Sequence, residues 1–205
     1  MSAIGLTGGV ATGKSTFARL LLRDFPMECF DSDQCVHELL AGDPGIRDAI
    51  VASFGREVLD SQGRWPDRAR LRTIVFADEE RRKALEGILH PVVRSLWTAR
   101  VAEARKTKAC VLVDIPLLYE TGAQDGLDRV IVVACSRETQ LRRLTTERGL
   151  APELAAQMIA AQFDLGAKIH KADHVIWNDS TVSNLDGQSR LLASWLREWS
   201  TIAHA

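Results

Sequence analysis

The sequence predicts an open α/β fold built on a five-stranded parallel sheet. Short runs dense in Val and Ile, without polar alternation, read as strands buried on both faces of such a sheet. Helix-like stretches separate them, which implies right-handed crossovers. One gap, from Asp31 to Lys108, is roughly eighty residues where a crossover needs about a dozen plus a helix, so it predicts a helical insert.

The first run, Ala3 to Thr7, leads into "GGVATGKS". The segment fits G-x-x-x-x-G-K-[ST] at Gly8, Gly13, Lys14 and Ser15, with Gly9, Val10, Ala11 and Thr12 between and Thr16 following. In this pattern backbone N–H groups surround phosphate oxygens. Lys14 reaches the β and γ phosphates, and the Ser15 hydroxyl ligates Mg2+. A helix over Lys14 to Arg23 turns its N-terminus toward the same anion.

The second strand, Met27 to Phe30, runs into "DSDQ". Asp31 and Asp33 stand just beyond a carboxyl strand end, where ligands of such sheets bind. One carboxylate can orient a metal through water while the other accepts a hydroxyl proton. The competing reading is that Asp33 caps the helix of Asp33 to Leu40. The rest of the insert reads as a long helical tract from Pro66 to Thr107, interrupted at "LHPVVR", where Pro91 starts or kinks a helix. An insert after the second strand would overhang the site and could hold a second substrate.

The third strand, "ACVLVD", ends in Asp114, placed either near Mg2+ or as a loop cap. The fourth, "RVIVVAC", precedes helices over Arg137 to Arg148 and Pro152 to Gln162. Arg137 and Arg148 are spaced to share one helix face, and Arg142, Arg143 and Lys168 add positive charge. Such groups either stabilise a moving phosphoryl or are solvated surface charges. The fifth strand, "HVIW", precedes a helix over Ser183 to Trp199, on which Trp195 and Trp199 form a packing face. His37, His170, His174 and His204 are expected to be structural.

Composition narrows the function class. Charged residues make up 26% and the net charge is −1, so nothing attracts nucleic acid or an anionic membrane. No apolar run nears the roughly 20 residues of a membrane span, and no signal peptide is visible, so a cytoplasmic protein is expected. The cysteines show no C-x-x-C spacing, and Cys29, Cys110 and Cys135 read as small core residues. A guanine-nucleotide switch is disfavoured. No N-K-x-D follows the fifth strand, and "DSQG" at 60–63 lies inside the insert.

Taken together, "IGLTGGVATGKST", "FDSDQCVHELL", "LEGILHPVVR", "VLVDIPLLYETG", "QLRRL" and "AAQFDLGAKIHKADHVIWN" give a chain that resembles the dephospho-CoA kinase family nearly end to end. The resemblance implies the three-layer P-loop NTPase fold as a single domain, with a helical CoA-binding insert near 34–107 and a lid near 137–168. It implies ATP-dependent phosphorylation of the ribose 3′-hydroxyl of dephospho-CoA, the last step of coenzyme A biosynthesis, with Mg2+. A kinase for another small acceptor, such as a nucleoside monophosphate, is the alternative.

By the same resemblance Asp33 is the general base and Lys14 and Arg143 are catalytic. The acceptor is bound by Asp31, Asp33, His90, Arg94 and Asp114. ATP and dephospho-CoA are the expected partners, and the chain is a monomer or weak homo-oligomer. The lid departs from the family pattern: Glu147 stands where Arg is usual, with Arg148 next to it, Met158 stands where another Arg is common, and Asp164 replaces a Pro.

Overall fold

A computed structural model describes residues 3–202, so His204 lies outside the described residues. The five strands are β1 (Ala3–Gly8), β2 (Glu28–Asp31), β3 (Val111–Asp114), β4 (Arg129–Ala134) and β5 (His174–Trp177). They lie in the order β2-β3-β1-β4-β5, with β1 central and parallel to both β3 and β4. Burial on both faces holds for β1 and β3, every residue of which is buried. It does not hold for β2, which is mostly exposed, because edge strands have a neighbour on one side only.

The chain divides into two compact units, residues 31–99 and the remainder. In the larger unit, helices α1 (Lys14–Asp24) and, at the far end of the chain, Val182–Ile202 cover one sheet face. Phe17 and Leu21 from the first, and Leu185, Leu192 and Leu196 from the second, pack on Ile4, Leu6, Leu112, Ile131, Val133 and Ile176. Each fully buried side chain of this size contributes about 1.5–3 kcal/mol. On the opposite face Gly5 leaves room for Leu127 and Leu118, whose methyl carbons stand 2.5 and 2.8 Å from where a Cβ would be.

The smaller unit holds α2 (Ser32–Gly42), α3 (Pro44–Phe54), α4 (Arg68–Ala77) and the start of α5 (Glu79–Thr107). Each of these four helices opens on an aspartate, Asp31, Asp43, Asp67 or Asp78, whose carboxylate accepts N–H groups of the first turn. Helix α3 was not expected, although Asp43 before Pro44 is a start signal. The expected long tract is split at Asp78. Pro91 does not start α5, which runs on through it from Glu79 to Thr107. The carbonyl that Pro91 leaves without a donor belongs to Gly87, and both residues are exposed, so water can satisfy it.

After β4 come α6 (Arg137–Arg142), a wide π turn over Arg143–Glu147, α7 (Pro152–Ala160) and α8 (Leu165–Lys171), the last also unexpected. In the π turn the Arg148 N–H reaches back five residues to the Arg143 carbonyl (3.2 Å). The helix of Arg137 therefore stops short of Arg148. The expectation that the two arginines share one helix face is incorrect, because the wider turn breaks the 3.6-residue period. Val182–Ile202 is α9. Its Trp195 and Trp199 stack with centroids 5.4 Å apart, between His174 and the Arg129 guanidinium.

Candidate active site

The loop from Gly8 to Ser15 joins β1 to α1 at the centre of the sheet, and its backbone dictates the glycines. A Cβ on Gly8 would lie 2.5 Å from the Val133 carbonyl oxygen in β4. Gly13 sits at φ 90° as the N-cap of α1, and a side chain there would collide with the Asn178 amide. Ala11 adopts φ 58°, unusual for a residue with a Cβ.

Three consecutive loop carbonyls are held by side chains from elsewhere. Gln140 Nε2 donates to the Val10 carbonyl (2.8 Å). Arg143 Nη1 donates to the Ala11 carbonyl (3.0 Å), and its Nη2 to the Asn178 carbonyl (2.8 Å). Asn178 Nδ2 donates to the Thr12 carbonyl (2.8 Å). The Val10 N–H is also taken, by Gln162 Oε1 (2.6 Å). In a trans peptide the N–H opposes its carbonyl, so the Ala11 and Gly13 N–H groups point away from these clamps. Neither makes a hydrogen bond among the described residues. These two N–H groups stand on either side of Thr12, whose own N–H donates to the Gly9 carbonyl (3.4 Å), and form an anion nest with the N-terminal N–H groups of α1.

Lys14 forms an ion pair with Asp114, and both side chains are largely buried. The β1–β3 register that sets Leu6 opposite Asp114 brings the carboxylate to the loop. Ser15 is exposed on the first turn of α1 and Thr16 is half-buried beside it. Lys168 belongs elsewhere. It is fully buried, pairs with Glu120 (2.8 Å) and donates to the Pro116 carbonyl (3.2 Å). The expectation that Lys168 joins a phosphate-facing group is thus corrected. Removing one partner of such a buried pair costs about 3–5 kcal/mol.

A cavity of about 450 Å³ adjoins the loop at Gly9, lined by Gln140, Gln162, Phe163, Ile169 and Trp177 among others. Cys135 also lines it, and burial pushes its thiol up to about 11, which keeps it protonated. Beside it Asp179 accepts from the Ser136 N–H (2.8 Å) and Trp177 Nε1 (3.0 Å). Burial acts to raise the Asp179 pKa, but these hydrogen bonds outweigh it and hold the carboxyl below its ordinary value.

Arg142 pairs with Glu147 in the larger unit (3.3 Å), whereas Asp31, Asp33, His90 and Arg94 lie in the smaller one. Asp31 caps α2, accepting from the Asp33 and Gln34 N–H groups (2.9 and 3.0 Å). The reading of Asp33 as the cap is therefore incorrect. Its own carboxylate is exposed and makes no hydrogen bond among the described residues. His90 and Arg94 are exposed one turn apart on α5, with the Arg94 guanidinium 6.0 Å from the Trp97 ring. Gln140, Gln162 and Asn178 carried no loop role in the sequence reading, because their partners are 130 to 166 residues away.

A parallel α/β sheet whose central strand feeds this clamped loop, with Lys14 at its end, defines a P-loop protein of the nucleoside-triphosphate-binding class. Comparison with known proteins narrows the class. The chain belongs to the dephospho-CoA kinase family, whose model matches residues 2–184. It is 38% identical over 206 residues to the dephospho-CoA kinase of Methylococcus capsulatus, covering 100% of both chains. Among solved structures it resembles TT1252 from Thermus thermophilus (TM-score 0.76, 31% identity, 96% and 97% covered). It also resembles the dephospho-CoA kinase of Campylobacter jejuni (TM-score 0.71, 27% identity, 97% of each chain covered).

Proposed function

We propose that this chain transfers the γ-phosphoryl group of ATP to the ribose 3′-hydroxyl of dephospho-CoA, giving coenzyme A and ADP. The observation that carries the reading is the clamped loop with its free N–H groups, in a chain of this family. In the transfer, the bond between phosphorus and the 3′-oxygen forms as the bond to the β-phosphate oxygen breaks. Asp33 takes the hydroxyl proton. The loop from Gly8 to Thr16 and Lys14 hold the donor phosphates, and Arg143 adds positive charge where it spreads in the transition state. Asp31, His90, Arg94 and Asp114 serve acceptor binding. Asp114 also orients Lys14 through their ion pair.

The residues present fit Mg2+. The ion takes few protein oxygens and is held largely by substrate phosphates. The Ser15 hydroxyl, exposed beside the nest and without a hydrogen-bond partner among the described residues, is the oxygen that would hold it. When bound, the ion neutralises phosphate charge. No described helix is long and apolar enough to cross a membrane. The reading takes the chain as a cytoplasmic enzyme that acts as a monomer or weak homo-oligomer.

The deciding measurement is ADP release from ATP with dephospho-CoA, AMP, adenosine or no acceptor. Release with dephospho-CoA alone is expected. Turnover of AMP with dephospho-CoA inert would replace this reading by that of a nucleoside monophosphate kinase.

A further inference from the structure

We propose that Gln140, Gln162 and Asn178 are positioning residues that preset the phosphate loop for ATP. The proposal rests on the phosphotransferase reading above, and it concerns groups that touch the loop rather than the substrate. Gln140 and Gln162 grip one peptide residue, Val10, from opposite sides: Gln140 donates to its carbonyl and Gln162 accepts its N–H. The polarity of these partners fixes both amide orientations without ambiguity. Asn178 then holds the Thr12 carbonyl two residues on.

Each clamp has a consequence for an N–H group. With the Val10 carbonyl held by Gln140, the Ala11 N–H is turned the other way. With the Thr12 carbonyl held by Asn178, the Gly13 N–H is turned likewise. Because the groups stand ready before phosphate arrives, binding incurs less reorganisation. Gly9 leaves the space one clamp needs, since a Cβ there would lie 2.7 Å from Gln140 Nε2. The two glutamines also bracket residues 141–161, so both ends of that segment meet at Val10, each on one of the two peptide groups that flank its Cα.

The opposite polarity of the two glutamines supplies the test. In the full chain without nucleotide, amide exchange at Val10 is followed by NMR, and ATP affinity is measured by titration without acceptor. Gln162→Ala is expected to speed Val10 exchange and to weaken ATP binding, each by about three- to tenfold, the worth of one hydrogen bond. Gln162→Glu keeps an acceptor and should leave Val10 protected. Gln140→Glu, which cannot donate, should weaken ATP binding like Gln140→Ala while Val10 stays protected. KM for the acceptor should stay within about twofold, a split that general destabilisation would not produce.

The near-isosteric Glu variants keep the test valid should an Ala variant fold poorly. ATP affinity within twofold of wild type in the Ala variants would overturn the proposal, as would the same Val10 exchange in Gln162→Glu and Gln162→Ala. The amide-exchange and ATP-titration arms, on which the proposal is decided, use no dephospho-CoA. A chain that meets these expectations yet leaves dephospho-CoA unphosphorylated would overturn the functional reading and spare the clamps.

Discussion

The phosphate loop and the helical unit are built by opposite means. In the loop, backbone groups are fixed by side chains 130 to 166 residues distant in sequence. In residues 31–99 the candidate groups stand on helices whose capping is local, each aspartate serving N–H groups two or three residues on. Asp33, His90 and Arg94 are exposed there, whereas Lys14 and Asp114 are largely buried together. The difference teaches that the two regions present unlike groups to a ligand. The loop offers backbone groups held in place from afar, the helical unit exposed side chains on locally capped helices.

The comparison is open to attack by substitution. Lys14→Ala should have the largest effect, lowering kcat/KM by about 10³-fold or more and weakening ATP binding. Steady-state kinetics with an ATP titration measure both. Asp33→Asn should lower kcat by about 10²–10⁴-fold while ATP affinity survives. If Asp33→Asn weakened ATP binding as much as Lys14→Ala, the division between the regions would fail. Near wild-type turnover in that variant would remove Asp33 as the base.

The smallest effect concerns stability away from both regions. Burial lowers the pKa of His174 below its ordinary 6.5, so the folded chain prefers the neutral ring. The unfolded state then binds more protons between the folded pKa and 6.5. The contribution is present above 6.5 and lost as pH falls toward the folded value. Denaturant midpoints from pH 7.5 to 5 should fall with pH, and His174→Phe, which keeps a ring against Trp195, should flatten part of that slope. An unchanged slope would show that other groups dominate.

Much of the fold was legible because its cause is local. Val and Ile density marked β3, β4 and β5, shorter apolar runs ahead of the glycine loop and of "DSDQ" marked β1 and β2, and the oversized gap marked the helical unit. Helix α3 escaped because Pro44 and Gly45 look like a turn, although Asp43 supplies its cap. The shared face of Arg137 and Arg148 failed because one wide turn is invisible to a period of 3.6. At the site, the glycines and Lys14 announce themselves by spacing. Gln140, Gln162 and Asn178 do not, since their meaning depends on which distant peptide group the fold brings to them. Lys168 misled for the same reason: its partner Glu120 lies 48 residues back in the chain.

The clamps also bear on how the motif tolerates change. G-x-x-x-x-G-K-S treats its four inner positions as interchangeable, yet here they are not. Gly9 must stay small beside Gln140, and buried Thr12 bonds the Gly9 carbonyl through its hydroxyl (2.9 Å). Val10 and Ala11, by contrast, are held through backbone groups alone, which every amino acid but proline supplies in full. The freedom to vary is therefore concentrated at these two sites, with the left-handed turn at Ala11 favouring Gly or Asn. What the loop leaves unspecified is written instead at positions 140, 162 and 178.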